Sequence, residues 1–322
     1  MSFNYHMKRP FISVIVTAYN RKEFLLEALQ STVNQTLKRD KYEIICIKNF
    51  KDAKTDRYIK DNGIINVLKN QAIIGEYLYL ATKKSHGEVL VFLDDDDIFD
   101  NRKLSRVYEL LKSSDIGYYH NNITKEKEIL NTGKLEEKAL RITANEYTKK
   151  YNILHSSAFC MSAITIKKIL MKKYLKEVVN LRGNQDCFSL SISLANNANV
   201  LIDNNKLTFY RVHGNNISKQ NDLNKAIESE INLNIPSLKF IREIIVTSNS
   251  DSALFFLDTV IFQAQTRLDM LKGDKKGLIR DTINFFKVYG LKLLRNKYFL
   301  RRLTLISIFF VYKDYAIKRF LN

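Results

Sequence analysis

The sequence is poor in the residues that build disulfide frameworks, flexible linkers and membrane spans. Its 322 residues include three cysteines, two prolines, ten glycines and no tryptophan. The cysteines, Cys46, Cys160 and Cys187, show no CxxC spacing, so neither a disulfide scaffold nor a thiolate metal site is indicated. No run approaches the roughly 18–20 apolar residues that a membrane-spanning helix requires. The N-terminal residues also lack a signal-peptide cleavage pattern. We therefore expect a cytoplasmic protein, soluble or peripheral to the membrane.

Charge of one sign is in clear excess. The 52 Lys and Arg residues outnumber the 34 Asp and Glu residues, which gives a formal net charge of +18. Such an excess favours an anionic partner, namely nucleic acid, an anionic membrane surface or a phosphorylated substrate. No recognition motif for nucleic acid accompanies the charge, so we expect no nucleic-acid partner. A compositional bias toward lysine along the whole chain is the simpler alternative.

Hydrophobic patterns predict alternating strands and helices in the first hundred residues. Buried strands are predicted at residues 11–16, 42–47, 64–68 and 88–93. Helices are predicted at residues 22–37 and 74–84, and Gly87 is expected to end the second helix. This alternation predicts an α/β fold with a mostly parallel, Rossmann-like sheet flanked by helices. Ligands of such sheets bind at the carboxyl ends of the strands.

The pattern changes in the second half of the chain. A helix is predicted at residues 103–111, a loop at 121–138, and strands within 157–165 and 200–212. From about residue 226 the pattern is helical, so we predict two domains, residues 1–225 and a C-terminal helical extension, residues 226–322.

The end of this extension is strongly basic. Residues 271–322 contain 13 Lys or Arg residues and three Asp residues. Within it, residues 298–312 combine apolar blocks with Arg301 and Arg302, close to Arg295 and Lys297. The pattern is typical of a helix that lies on an anionic membrane surface. The alternative is a basic helix that packs its apolar side on the rest of the protein.

Four consecutive aspartates, Asp94 to Asp97, follow the predicted strand at residues 88–93. Adjacent carboxylates repel one another, so a fold keeps them where water or a cation offsets their charge. Carboxylate oxygens suit Mg²⁺ or Mn²⁺, which leave coordination positions open for diphosphate oxygens. A helix N-cap would need only one Asp, and this segment lacks the Gly and the Glu of an EF-hand loop. A divalent cation is therefore predicted here.

Four segments together resemble family 2 glycosyltransferases of the GT-A fold. They are residues 13–21, 43–47, 87–97 and 210–218, and they occur in the order seen in that family. The resemblance covers about residues 11–220. It implies a nucleotide-sugar donor at the strand ends and a divalent metal held by an Asp-x-Asp element. It also implies transfer, with inversion at the anomeric carbon, to an acceptor hydroxyl of a polysaccharide, glycolipid or protein-linked glycan.

The resemblance also implies which residues meet the nucleotide. The residues expected to line its pocket are Thr17, Ala18, Tyr19 and Asn20. Tyr19 offers a ring for stacking, with a core or turn role as the alternative. Asn49 stands where the family has an acidic residue that pairs with the base, so the identity of the nucleotide stays open. Its neighbour Lys48 either neutralises phosphate or is solvated.

The aspartates and one histidine receive roles in the same way. Asp96 is expected to contact the metal, and Asp94 the metal or the ribose. Asp95 is grouped with the donor-binding residues, and Asp95 and Asp97 are expected to orient the ligands. His213 is expected to reach the metal or a phosphate, with a structural role as the alternative.

Asp186 is the expected catalytic base. Residues 184–194 resemble the segment that supplies the base in the family, although Gln185 replaces the usual Glu. The resemblance implies a helix with Asp186 at its start, and a plain acidic residue in a first helical turn is the alternative.

Two other activities compete with this interpretation. A nucleotidyltransferase would normally carry a Gly-rich loop after the first strand, and residues 17–21 contain no Gly. A catalytically silent nucleotide-sugar-binding protein is the other alternative, which the altered Lys48–Asn49 segment allows.

Overall fold

Packing divides the chain into two compact units that interleave along the sequence. The computed structural model describes residues 9–70, 73–213, 222–290, 293 and 296–321. The first unit consists of the described residues within Met1–Ala144, Phe159–Asn180 and Asn196–Arg211. The second consists of those within Asn145–Ala158, Leu181–Ala195 and Val212–Asn322. The domain boundary near residue 225 stays a prediction.

The first unit contains one sheet, which has nine strands among the described residues. They are β1 (Ile12–Ala18), β2 (Tyr42–Lys48), β3 (Ile65–Leu68), β4 (Val89–Asp94), β5 (Ile98–Phe99), β6 (Ile116–Thr124), β7 (Leu140–Ile142), β8 (Ile164–Lys167) and β9 (Asn199–Phe209). The order is β3-β2-β1-β4-β8-β6-β9-β5, and β7 also pairs with β9. Neighbours from β3 to β4 are parallel, whereas β8 is antiparallel to both β4 and β6. The sheet is therefore parallel in the predicted first half and mixed beyond it.

The helices follow in chain order. They are α1 (Leu25–Val33), α2 (Ala53–Asp61), α3 (Ile74–Lys84), α4 (Lys103–Leu111), α5 (Tyr151–Ser157), α6 (Lys168–Lys173), α7 (Leu175–Val178), α8 (Gln185–Ala195), α9 (Leu223–Ser229), α10 (Ile235–Val246), α11 (Asp251–Lys272), α12 (Lys275–Tyr289), α13 (Lys297–Val311) and α14 (Lys313–Leu321). The helical segment after residue 226 is confirmed. Among the described helices, none is long and apolar enough to span a bilayer.

The core of the first unit lies along its central parallel strands. Ile12, Val14 and Val16 of β1 are fully buried, as are Val89 and Val91 of β4. These two strands pair with each other and have further strands on their outer sides. Burying each such side chain is worth roughly 1.5–3 kcal/mol, which fixes the strand ends that carry the polar residues.

Side-chain caps begin four of the helices in the second unit. The capping residues of α9, α11, α12 and α13 are Asp222, Ser250, Asp274 and Asn296, and each accepts a backbone N–H of the first turn. A cap of this kind stabilises a helix by about 1 kcal/mol. The apolar faces of α11, α12 and α13 pack together, with the Phe262 and Phe285 rings stacked 4.5 Å apart.

Several predicted elements with clear apolar patterns are confirmed. The predictions for residues 121–138 and 157–165 are wrong in part. Helices α3 and α4 begin and end at the predicted residues. The predicted loop at 121–138 begins inside β6, where Asn121 is fully buried and donates to Thr208 Oγ1 at 3.0 Å. Most of the strand predicted within 157–165 is also wrong, because α5 ends at Ser157 and β8 begins at Ile164.

Gly87 is needed for a close approach of two backbones and does not end a helix. Helix α3 ends at Lys84 with Ser85 as its cap. A Cβ atom on Gly87 would lie 2.6 Å from the amide nitrogen of Ser13 and 2.7 Å from the carbonyl carbon of Ile12. The Gly87 N–H donates to Ser13 Oγ at 2.8 Å. Any side chain here would push β1 away from the start of β4.

We therefore expect Gly87→Ala to lower the free energy of unfolding by about 1–3 kcal/mol, the usual cost of overpacking. Urea denaturation followed by circular dichroism measures this change. Gly63→Asn is the matched control, because Gly63 has open space around it and a φ of +59°, which Asn tolerates. The control should stay within about 0.5 kcal/mol of the parent. Equal midpoints for Gly87→Ala and the parent would contradict the backbone contact.

Candidate functional site

The carboxyl ends of three parallel strands carry the polar residues predicted for the donor. Thr17 of β1 lies beside Asp94 of β4, and Ala18 of β1 lies beside Lys48 of β2. Ala18 is buried, whereas Thr17 and Asp94 are half-buried. The sheet register thus brings the end of the first motif next to the aspartates, as expected for parallel strands.

Asn20 and Asn49 contact each other at this edge. Asn20 has a φ of +56°, a left-handed conformation that Asn adopts more readily than most residues. Its N–H donates to Asn49 Oδ1 at 2.8 Å, and Asn49 Nδ2 donates back to Asn20 Oδ1 at 2.6 Å. Tyr19, next to this pair, is 54% exposed. Its ring is therefore accessible to a ligand and is not part of the core.

Lys48 is buried, so the expectation of a solvated lysine is wrong. Its ammonium lies 2.7 Å from Asp56 Oδ1 of α2 and donates to the carbonyl oxygen of Phe50 at 2.6 Å. These contacts offset the cost of burying the charge. Lys48 holds the end of β2 to α2.

Arg21 is the residue that the sequence analysis missed. Its Nε donates to Asp95 Oδ1 at 3.0 Å, and its Nη2 lies 2.8 Å from Asp96 Oδ2. Burial alone would lower the pKa of Arg21, but the aspartates hold it above the ordinary value. Burial raises the pKa of Asp95 even though Arg21 opposes this shift. The only signal in the sequence was the position of Arg21 directly after Asn20.

Asp97 faces the interior of the same turn. Its Oδ1 accepts the Arg211 N–H at 3.0 Å, and Cys160 Sγ lies 3.7 Å from its Oδ2. Burial and the neighbouring charge of Asp96 raise the pKa of Asp97 to about 7. The Arg211 side chain donates to the Asp96 carbonyl oxygen at 2.9 Å and pairs with Glu27. Arg211 therefore fastens the end of β9 to the aspartates.

A buried lysine lies in the polar network next to the turn that carries the aspartates. Lys103 is fully buried and donates to Thr208 Oγ1 at 2.9 Å and to the Ser162 carbonyl oxygen. Ser162 Oγ accepts the Asp94 N–H at 3.0 Å. Burial lowers the pKa of Lys103 to about 7, although Cys160 and Asp97 oppose this shift. The aspartates thus rest on a polar network within the sheet.

Asp186 and His213 belong to the second unit. Asp186 is the second residue of α8, as predicted, and its Oδ1 accepts the Cys187 N–H at 2.8 Å. Asp186 and His213 are both half-buried. The rest of the last motif, residues 214–218, lies outside the described residues, as does Arg295 of the basic tail. The roles of Asp186 and His213 stay predictions.

The aspartates fit a cation that binds together with a phosphate ligand better than a preformed metal cage. Within the described part of the chain, no group of three His, Cys, Asp or Glu side chains is arranged to hold a metal ion. Asp95 and Asp96 share Arg21, and Asp95 Oδ2 is buried without a hydrogen-bond partner. Mg²⁺ commonly binds through one or two carboxylates plus substrate phosphates. Asp94 and Asp96 are the carboxylates that would hold such a cation.

Known proteins of similar sequence include glycosyltransferases. The model of glycosyl transferase family 2 matches residues 13–172. The Escherichia coli protein UDP-Glc:alpha-D-GlcNAc-diphosphoundecaprenol beta-1,3-glucosyltransferase WfaP is 29% identical over 211 residues, which cover 64% of this chain and 79% of that protein. The chain spans only 17% and 31% of the length of two other curated relatives.

Two solved structures share the fold. S. aureus TarS 1-349 in complex with UDP-GlcNAc superposes with a TM-score of 0.58 at 12% identity, covering 96% of this chain and 89% of that one. Mannosyltransferase PcManGT from Pyrobaculum calidifontis, in complex with GDP-Man and Mn²⁺, gives a TM-score of 0.52 at 14% identity, covering 96% and 87%. The prediction of a GT-A fold is therefore confirmed. The chain belongs to the family 2 glycosyltransferases.

Proposed function

We propose that this protein transfers a sugar, with inversion, from a nucleotide-sugar donor to an acceptor hydroxyl of a polysaccharide, glycolipid or protein-linked glycan. The observation that carries the proposal is the pairing of Arg21 with Asp95 and Asp96 at the strand ends, where Tyr19, two residues before Arg21 in the chain, is exposed. Charged groups for a diphosphate and a flat ring for a base are the two features that a nucleotide-sugar site needs. The UDP-GlcNAc and GDP-Man bound to the two solved relatives support this donor class.

The donor for all the assays below comes from a small panel. The panel consists of UDP-glucose, UDP-GlcNAc and GDP-mannose, the donors that appear in the names of the relatives. The donor that raises the melting temperature of this protein most in the presence of Mn²⁺ is selected. Turnover is measured as release of the nucleoside diphosphate with water as the acceptor. Turnover separates an enzyme from the silent binding protein, since the latter binds donor without releasing product.

The aspartates and Arg21 have different proposed roles at the departing diphosphate. Asp94 and Asp96 would hold Mg²⁺ or Mn²⁺, which stabilises the charge that grows on the departing diphosphate. Arg21 keeps Asp95 and Asp96 from repelling that diphosphate, because its guanidinium already offsets their charge. His213 is proposed to be a further ligand for the metal or a phosphate.

Donor binding is expected to require Mg²⁺ or Mn²⁺, and Asp94→Ala and Asp96→Ala should each weaken it at least tenfold. Each Ala variant removes a carboxylate proposed to hold the cation, and without the cation the diphosphate loses the positive charge that attracts it. Isothermal titration calorimetry with Mn²⁺ and with EDTA measures the affinity. Asp40→Ala serves as a control, since Asp40 is exposed and pairs with its neighbour Lys41. Equal donor affinity with and without EDTA would refute the metal assignment.

Asp186 is the proposed general base. A base must lie within hydrogen-bond reach of the acceptor hydroxyl and accept its proton as the new bond forms. The start of α8 is a suitable position, because the helix fixes the backbone of Asp186 and leaves its side chain half-buried. The Asp186 Oδ1 atom accepts the Cys187 N–H at 2.8 Å, which orients the carboxylate proposed to take the proton.

Asp186→Asn should lower turnover by about 10²–10⁴-fold, the usual contribution of a positioned base. Donor affinity should be unchanged, because this interaction acts mainly in the transition state. Stopped assays of diphosphate release and calorimetry measure the two quantities. The matched control is Asp251→Asn, which alters an exposed Asp in the first turn of another helix of the same unit. Near-parental turnover of Asp186→Asn would place the base elsewhere.

A membrane surface is the proposed partner of the basic helices. Three apolar side chains on one face of α12, Ile279, Ile283 and Phe286, are 47%, 47% and 45% exposed. Exposed basic residues flank this stripe, namely Lys275, Lys276, Arg280 and Lys287. An apolar stripe between basic residues suits a helix lying on an anionic membrane.

The predicted membrane segment, residues 298–312, buries one side and exposes apolar side chains at its end. Its Phe299, Ile306 and Phe309 are buried in the apolar cluster of the second unit, which fits the packing alternative for that side of α13. Phe310 is 39% exposed, with the Lys275 ammonium 5.6 Å from its ring centroid, and Val311 is 70% exposed. The stripe on α12 and these exposed residues of α13 form the proposed membrane surface.

Lys275→Ala/Lys276→Ala should weaken binding to phosphatidylserine-containing liposomes about thirtyfold at low salt. Each basic residue near such a surface contributes about 1 kcal/mol. Co-sedimentation measures the binding, and donor turnover in solution should be retained. Lys83→Ala/Lys84→Ala removes two exposed lysines from the end of α3 and should have no effect. If both pairs weaken binding equally, the attraction is a property of the overall charge and not of α12.

A further inference from the structure

The residue two positions before Asp186 is attached to a distant part of the chain. Asn184 has a φ of +57°, and its carbonyl oxygen accepts the Phe188 N–H at 2.9 Å, so it begins α8. Its side-chain Nδ2 donates to the backbone carbonyl oxygen of Asn234 at 3.1 Å. Both residues belong to the second unit. The start of α8 is therefore fixed by a contact that crosses 50 residues of sequence.

The partner of Asn184 lies in a π-helical segment, Glu230–Asn234, between α9 and α10. Here the Ile235 N–H donates to the Glu230 carbonyl oxygen, five residues back. Pro236 explains the wider turn, since it has no N–H to continue the ordinary ladder to the carbonyl four residues earlier. Single π turns inside α-helices occur frequently at functional sites.

A buried ion pair fixes the geometry of this segment. Glu230 is 2% exposed, and its Oε1 lies 3.0 Å from Arg267 Nη1 of α11. Its Oε2 accepts Asn234 Nδ2 at 2.6 Å. Burial raises the pKa of Glu230, and Asn234 and Arg267 oppose that shift. A buried carboxylate needs such partners, so the pair resists any rearrangement that separates them.

Gly183 lets the two segments approach each other closely. A Cβ atom there would lie 3.2 Å from Leu233 Cδ1 and 3.4 Å from Ser237 Oγ. The loop before α8 therefore packs directly on the π-helical segment. The hydrogen bond of Asn184 and this packing act on the same side of the loop.

We propose that Arg267, Glu230 and Asn234 form a clamp that positions Asp186 through Asn184. The clamp is the chain of contacts from Arg267 to Glu230, from Glu230 to Asn234, and from Asn234 to Asn184. It deepens the proposed function, on which it rests, because it assigns the C-terminal helices a part in holding the base. Misplacing a catalytic group by about 1 Å costs on the order of 10²-fold in rate. The members of the clamp are positioning residues and do not themselves accept the proton.

Asn184→Gly tests the clamp, because Gly keeps the left-handed backbone and removes only the amide. Turnover of the selected donor should fall at least tenfold, while its affinity by calorimetry stays at the parental value. Asn184→Asp is the second variant, since Asp also tolerates this backbone but cannot donate to the Asn234 carbonyl oxygen. Asn249→Gly is the matched control at an exposed position of the same unit with a φ of +54°. It should keep parental turnover.

The double variant Asn184→Gly/Asp186→Asn separates positioning from general stability. Because the clamp acts through Asp186, the double variant should turn over no more slowly than Asp186→Asn alone. A further tenfold loss in the double variant overturns the clamp, as does parental turnover in both Asn184 variants. If either Asn184 variant does not fold, Glu230→Gln carries the same test, with the same expected loss. Parental turnover of Asp186→Asn would instead overturn the proposed base.

Discussion

Four adjacent carboxylates at the end of a buried strand are the constraint on which the rest of the first unit depends. They repel one another, and three of them are almost entirely removed from water. The protein offsets this charge from both sides. Arg21, which follows β1, lies against Asp95 and Asp96, and Arg211, which follows β9, binds the Asp97 carboxylate through its N–H. Because β1 pairs with β4, Arg21 lies close enough to the aspartates to offset part of their negative charge.

Beneath the turn, the sheet interior is polar where an ordinary α/β sheet would be apolar. Lys103 of α4 and Asn121 of β6 both donate to Thr208 of β9, and Ser162 joins this group to the backbone of Asp94. Buried hydrogen bonds of this kind permit few alternative packings. The network therefore helps to hold the strand end that carries the carboxylates. Preorganised charge of this sort is worth more to an enzyme than charge that must be rearranged for each substrate.

The sequence predicted best those features that arise from local apolar patterns. Strands β1 to β4 and helices α3 and α4 follow from such patterns, and the parallel pairing of the strands places Thr17 beside Asp94 and lets Asn20 contact Asn49. Strand β6 escaped prediction because buried polar residues such as Asn121 resemble a loop. The role of Arg21 was not predicted, because the sequence around an arginine that follows a turn does not show whether its side chain is paired or solvated. The burial of Lys48 in β2 depends on Asp56, which helix α2 supplies. Pairings of this kind are decided by tertiary packing, which one sequence does not reveal.

The interleaving of the two units has a consequence for how the chain folds as it is made. Helices α5 and α8 are synthesised within the first unit's sequence, but their packing partners come later. Until α10 and α11 have been translated, α8 lacks the two helices against which it packs in the second unit. Exposed apolar surface on such intermediates favours aggregation and attracts chaperones. The nascent protein therefore passes through a vulnerable interval that lasts for at least the translation of residues 196–272. Slow synthesis would lengthen this interval.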